Sequence, residues 1–518
     1  MATSYLLGVD IGTYSSKGVL VEAKTGNVIC ENVIEHALSM PRPGWVEHDP
    51  DQIWWGEFAS ICRALLTTSS SQPGQIRAIG VSGIGPCVLP VDASGTPLRQ
   101  AILYGIDTRA SEEIAFLEES LGREDIFRHS ATHLSSSANG PKILWIKNHE
   151  PDVFAKARWF LSSQSYIVLK LTGRAVMDNY TASSYAPLID VERMQWRQGM
   201  DSLITRIENL PDMAWSSEIA GFVTAEAARQ TGLQEATPVI VGTMDAASEA
   251  ISAGVAEFGD MMMMFGSSNS CILKTDRLVP TDNFWALNWL EPGTFAFVAG
   301  MSTVGSLTRW LRDNLSPLEV ADQKASGKNA YAALAELLND SPRGARGLVA
   351  LPYFEGERTP MYDPHARGVF FGLTLKHTRA DMYRALLEGI GFGIRHNVDG
   401  MHAVSIHPKR ILAVGGGTRN LAWMQMISDI ANIEMAIPSQ QIGSCYGDAF
   451  LAGVGVGLFS GVGEIRNWVQ YSHSITPDPE ATEAYQPLYR IYRELYNQTR
   501  GLMSELSTLQ IGYATPDK

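Results

Sequence analysis

Cysteine is scarce and shows no pairing pattern. Five residues, Cys30, Cys62, Cys87, Cys271 and Cys445, lie far apart among 518, and none forms a CxxC pair. An odd, scattered set excludes a disulfide frame and a cysteine-held zinc site, and fits thiols kept in a reducing compartment. Basic runs are missing as well. Lys plus Arg is 41 against 55 for Asp plus Glu, a formal net charge of −14. A chain of that sign is unsuited to gripping a nucleic-acid backbone or an anionic membrane. Any phosphate ligand must then be held by local donors, because the overall field repels it. No apolar run approaches membrane-spanning length, and the opening MATSYLLGVDIG lacks a basic leader region. A cytoplasmic protein is expected. There is no GxxxxGK[ST] loop, GxGxxG fingerprint, HExxH pair or GxSxG turn, so the familiar nucleotide, zinc-peptidase and serine-hydrolase arrangements are excluded.

What is present is an ordinary globular balance, 45% hydrophobic and 19% charged. The length exceeds what one core supports, so at least two large domains are expected. The chain opens with an apolar run, Tyr5 to Val9, a polar turn at Asp10-Ile11-Gly12-Thr13 and a second apolar run, Gly18 to Val21. Val28 to Cys30 resumes the strand pattern after a Lys24–Asn27 turn. Ile76 to Val81 and Pro238 to Val241 read as buried strands, with helical spacing at Ile53 to Leu66 and Ser111 to Leu121 between them. Alternating strands and helices give an α/β class. Near residue 260 the opening layout returns: Met261 to Phe265, then Gly266-Ser267-Ser268-Asn269, then Cys271 to Leu273. A duplicated hairpin is one reading, and two unrelated hairpins of similar pattern the other. A third glycine turn, Gly415 to Gly417, sits between a strand-like and a helical run. Glu480 to Leu506 predicts a terminal helix, and Glu319 to Asn329 a polar surface segment.

Gly-Ser/Thr turns can point successive backbone N–H groups and a hydroxyl at phosphate oxygens without any lysine. Asp10, at the end of its strand, is suited to hold Mg²⁺ through water, since magnesium takes one or two carboxylates plus phosphates. The alternative is that Asp10 only closes its own turn. Asp245, in Gly242-Thr243-Met244-Asp245-Ala246-Ala247, follows a strand and precedes a helical start. It can serve as a base for an attacking hydroxyl or as a helix cap, and the two are compatible.

At these positions the sequence resembles the FGGY carbohydrate kinases, and among them most of all the xylulokinases. The resemblance rests on Gly8-Val9-Asp10-Ile11-Gly12-Thr13, Asp245-Ala246-Ala247 and Gly266-Ser267-Ser268. It rests further on Leu351 to Pro360, then Gly368 to Leu373, Asp381-Met382 and Ala385 to Glu388, spaced like the family's C-terminal signature. Lys142 to Ile146 resembles the N-terminal signature, although Asn139 stands where a small hydroxyl residue or proline is usual. The resemblance implies two duplicated ribonuclease H-like (actin-like ATPase) domains with an interdomain cleft, 1–252 holding the sugar and 253–518 most of the nucleotide. The terminal helices are the part that can pack back on the first domain.

The implied activity is ATP- and Mg²⁺-dependent phosphorylation of a terminal hydroxyl of a small sugar, a ketopentose such as xylulose first. Asp245 is the implied base, and Asp10 the magnesium and phosphate residue. ATP contacts carry over to Gly12, Thr13, Lys17, Gly266, Ser267, Gly305, Gly416 and Asn420. Asp107 is the implied sugar contact, with Arg109 two residues on; its alternative is an exposed ion pair. Gly85 and Pro86 fall where xylulokinases carry Met-His in a sugar-touching run. That departure keeps ribulose, erythritol, ribitol and gluconate open as substrates. A weakly active sugar-binding regulator is the reading from another class. Expected partners are the sugar or polyol and ATP, with no nucleic acid or membrane, and a homodimer left open.

Overall fold

A computed structural model describes residues 4–514. In chain order the elements that matter for the site begin with β1 (Tyr5–Ile11), β2 (Ser15–Glu22), β3 (Val28–Glu35), α1 (Glu57–Ser69) and β4 (Ile76–Gly83). Next come β5 (Ile219–Phe222), β6 (Pro238–Ile240), β7 (Thr243–Met244) and α2 (Asp245–Ala253). After these stand β8 (Asp260–Phe265), β9 (Asn269–Thr275), β10 (Phe295–Met301), α3 (Gly305–Leu315) and α4 (Arg379–Ala403). The last are β11 (Arg410–Val414), α5 (Leu421–Ala431), β12 (Glu434–Pro438), α6 (Ser444–Gly455), β13 (Tyr471–Ile475) and α7 (Pro479–Ala514).

The two hairpins expected from sequence both form, and their surroundings match. The first sheet runs β3-β2-β1-β4-β6-β5, with β7 beside β4. The second contains β10-β9-β8-β11-β12-β13 in the same sequence of roles. In each, an antiparallel hairpin lies against a parallel strand, then a second parallel strand, then an antiparallel edge. Two unrelated hairpins would not share that order, so the duplication is one of whole sheets. Met261 to Met263 are fully buried in β8, as an unbroken apolar run between parallel and antiparallel neighbours requires. α1 starts later than its spacing predicts. Pro50–Gly56 instead makes a wider helical turn, begun by the Asp49 carboxylate accepting from the N–H groups of Asp51 and Gln52.

The chain separates into two compact units that are not consecutive blocks. The first holds 1–258, 274–297 and 440–470; the second holds 259–273, 298–439 and 471–518. This departs from a single cut at 252, and the cause is visible in α6. That helix packs on β1, β2, β4 and α2, backbone against backbone. A Cβ built on Gly8 would lie 1.9 Å from the Cys445 carbonyl oxygen, and one on Gly80 2.0 Å from that of Asp448. Only glycines on the two strands leave room for it. The terminal helix α7 stays with the second unit. Cys30 is half-buried and the other four cysteines are buried thiols. Among the described residues no helix is long and apolar enough to cross a membrane.

Candidate active site

In the first unit, three strand ends meet. Asp10 is the penultimate residue of β1, paired in parallel register with Ser82 of β4. Thr243 and Met244 of β7 run parallel to Ser82 and Gly83, so Asp245 opens α2 at the same edge. The carboxyl ends of neighbouring parallel strands are where open α/β sheets bind ligands. Asp10 Oδ1 accepts a hydrogen bond from Ser82 Oγ at 3.1 Å. Asp245 is the first residue of its helix and not its cap: the preceding Met244 holds the cap position with no side-chain bond. Its Oδ1 takes the Ala246 N–H at 2.7 Å.

Two further acids belong here that sequence reasoning missed. Glu249 lies one helical turn after Asp245, on the same face of α2. Asp448 of α6 is fully buried, with Oδ2 receiving Ser82 Oγ at 2.7 Å and Oδ1 receiving Ser248 Oγ at 2.7 Å. The i, i+4 spacing could have flagged Glu249; nothing local could flag Asp448. Burial pushes the Asp10 carboxyl up to about 6, partly offset by Ser82 and by the charge of Lys17. Burial, then the Asp10 charge, raises Glu249 to about 7. The same two causes hold Asp245 and Asp448 well above the usual carboxylate range.

Acids crowded this way suit a cation. Among the described residues no group of three or more His, Cys, Asp or Glu side chains is arranged to enclose a metal. Magnesium does not need one, since it keeps several waters and uses one or two carboxylates plus phosphate oxygens. The residues present therefore fit Mg²⁺ at Asp10.

The first turn differs from its expected use in detail. The Gly12 N–H is spent on the Ser15 carbonyl at 3.0 Å, so Gly12 supplies room and not a donor. Lys17 pairs with Glu31 at 2.8 Å across β2 and β3. Asp107 does not face an open site. Its side chain and that of Arg109 are both 0% exposed. Arg109 donates to both carboxylate oxygens, and the Val46 N–H donates to Oδ2 at 2.7 Å. The pair is an internal brace, because every lone pair a sugar hydroxyl would use is already engaged. Gly85 lies against Met244: a Cβ there would come within 2.3 Å of the Met244 sulfur. Gly85 and Pro86 are half-buried, next to the residue that precedes Asp245.

In the second unit, one cavity of about 440 Å³ is lined by Gly266, Ser267, Gly305, Gly416 and Asn420. Three separate segments thus bring five of the eight expected nucleotide contacts to one space. The Gly305 N–H donates to the Gly266 carbonyl at 2.9 Å, and a Cβ on Gly305 would meet that oxygen at 2.4 Å. Asn420 also caps α5, its Oδ1 accepting the Trp423 N–H at 3.1 Å. Arg309, Tyr331, Tyr383 and Trp423 are also in the wall; the aromatic faces suit a planar base and the arginine a phosphate. No local motif marks these four.

Family models match nearly the whole chain. The N-terminal domain of the FGGY family of carbohydrate kinases matches residues 5–252, and its C-terminal domain residues 261–456. The chain belongs to the FGGY family of carbohydrate kinases. This sugar kinase is 28% identical over 502 residues to a xylulose kinase of Escherichia coli, covering 96% of this chain and 100% of that one. It is 26% identical over 521 residues to a gluconokinase of Bacillus licheniformis, covering 98% of each. A xylulose kinase structure from Rhodospirillum rubrum superposes with a TM-score of 0.89 at 32% identity, covering 96% of the kinase and 99% of that chain. The gluconate kinase of Lactobacillus acidophilus shares the fold at a TM-score of 0.87 and 24% identity, covering 96% and 98%. The kinase thus has the two-domain, actin-like ATPase fold of its family.

Proposed function

We propose that this kinase transfers the γ-phosphoryl group of ATP to a terminal hydroxyl of a small, uncharged sugar, a ketopentose such as xylulose being the first candidate. The observation that carries this is Asp245, placed at the carboxyl edge of the first sheet beside Asp10 and Glu249. The substrate hydroxyl gives its proton to the Asp245 carboxylate as its oxygen attacks the γ phosphorus. The bond from that phosphorus to the bridging oxygen breaks, and ADP leaves with the electron pair. Mg²⁺ held by Asp10 would neutralise charge on the phosphates and offset part of the effect of burial and of the Asp10 charge, which favour the protonated form of Asp245. Asp10 holds its orientation through Ser82, and Gly266, Ser267, Gly305, Gly416 and Asn420 bind the nucleotide.

The gluconate reading is weaker on electrostatic grounds. The charges felt by Asp245 are the carboxylates Asp10 and Glu249. An aldonate would bring a further negative charge without a partner. A coupled ADP-release assay over xylulose, ribulose, erythritol, ribitol and gluconate tests the reading. A ketopentose should give the highest kcat/KM. Preference for gluconate, or no sugar-dependent ADP release with any of them, would refute it. A thermal shift with one sugar but no turnover would support the regulator instead.

A further inference from the structure

Behind the first phosphate turn sit two buried histidines that none of the chemistry above uses. His36 follows β3, and its side chain is only 6% exposed. Its Nε2 lies 3.2 Å from the Gly12 carbonyl oxygen and its Nδ1 3.0 Å from Glu57 Oε2 on α1. Its main-chain N–H donates to the Tyr14 carbonyl at 2.9 Å. A main-chain carbonyl oxygen can only accept, so Nε2 donates to Gly12, while the Glu57 carboxylate holds the ring from its other edge.

His48 stands edge-on to His36, with ring centroids 4.9 Å apart, and is 0% exposed. The Trp54 indole N–H, which can only donate, meets His48 Nδ1 at 3.2 Å. The proton of the neutral ring is thereby fixed on Nε2. That Nε2 makes no hydrogen bond of standard geometry among the described residues, and the Thr13 main chain acts on it as a looser hydrogen-bond partner that raises the ring's pKa. Burial, then the neighbouring His36, lowers the His48 pKa to about 4. The strand carrying His48, Glu47–His48, pairs with Ala101–Ile102 and is braced by Arg99 and Arg109 on Glu47 and by Asp107 on the Val46 N–H. The buried Asp107–Arg109 pair thus acquires a purpose: it fixes the segment that backs the turn.

A trans peptide carries its C=O and the next N–H in opposite directions. Tying the Gly12 carbonyl to His36 therefore turns the Thr13 N–H away from that ring. Resting on the kinase reading above, we infer that His36, anchored by Glu57, and His48 are positioning residues that aim the Gly12–Thr13 turn at phosphate oxygens.

The test is steady-state kinetics of the full chain, with MgATP and sugar varied separately, alongside the melting shift produced by MgADP. His36→Leu should raise the KM for MgATP about tenfold, the scale of one buried hydrogen bond. The sugar KM should stay within about twofold, and the MgADP shift should shrink. His36→Gln, whose amide N–H reaches the Gly12 carbonyl, should regain most of the loss. His48→Gln and Glu57→Gln, which carry the test if His36→Leu does not fold, should move the MgATP KM in the same direction. A wild-type MgATP KM and MgADP shift in all of these variants would overturn the inference, as would equal increases in both KM values. If the parent enzyme phosphorylates no sugar, the kinase reading fails by itself, and the MgADP shift still decides the role of the histidines.

Discussion

Gly80→Ala is the sharpest perturbation the fold offers. The added methyl would sit 2.0 Å from the Asp448 carbonyl oxygen, against about 3.4 Å for an ordinary contact, a shortfall of about 1.4 Å. Neither partner is a flexible side chain: one is a central strand and the other the backbone of α6. The helix must lift, and overpacking of this kind costs about 1–3 kcal/mol. Lifting α6 also stretches the two 2.7 Å bonds that Ser82 and Ser248 make to Asp448, worth about 1 kcal/mol each when buried. A total of about 3–5 kcal/mol follows, or a melting temperature lower by roughly 5–8 °C for a unit of this size. Because Ser82 also holds Asp10, kcat should fall in the same variant at temperatures where it is still folded. Circular dichroism melts and initial rates at 25 °C read both effects. A variant melting within about 2 °C of the parent, with full turnover, would show that α6 does not bear on the strands as described.

Asp245→Asn keeps the side-chain volume but removes the proton acceptor, so kcat should fall by about 10²–10⁴-fold, with nucleotide binding by calorimetry unchanged; normal turnover would remove Asp245 from the reaction. Glu249, raised from 4.5 to about 7, keeps its proton in the folded state where the unfolded chain has lost it. Its contribution to stability is therefore present below pH 4.5 and lost as pH rises to about 7. Glu249→Gln should gain stability over the parent in urea melts above that pH and gain none near pH 4.5; an equal difference at both ends would contradict the assignment. Gly305→Val drives a side chain into the Gly266 carbonyl and should weaken MgADP binding about tenfold or more by titration calorimetry, while the sugar-induced melting shift persists.

Local patterns made the hairpins and glycine turns readable. Asp10-Ile11-Gly12-Thr13 and Gly266-Ser267-Ser268 each announce a strand end and a polar turn within a few residues, and the structure puts both at the expected edges. The duplication was visible as two similar hairpins, but its depth lay in strand order, which is a long-range property. Asp245 was legible because a strand, an acid and a helix start are consecutive. Asp448 was not, since its meaning depends on Ser82, more than 360 residues earlier. The surroundings of Asp107 were legible only in part: Arg109 lies two residues on, but the Val46 N–H that also bonds its carboxylate is brought there by tertiary contacts. The wall of the second unit's cavity, Tyr331 and Arg309 included, comes from helices with no motif of their own.

The late return of α6 to the first sheet bears on how the protein is made. Ribosomes release the first 258 residues well before the stretch ending at Gly455, a lag of roughly 200 residues and about 10–40 s of synthesis. Throughout that interval the Gly8–Gly80 surface of the nascent sheet is bare and apolar. A fragment cut at the family-domain boundary would share that exposure permanently and should be an aggregation-prone species, so the two halves of this enzyme cannot be separated into independent modules by dividing the gene once.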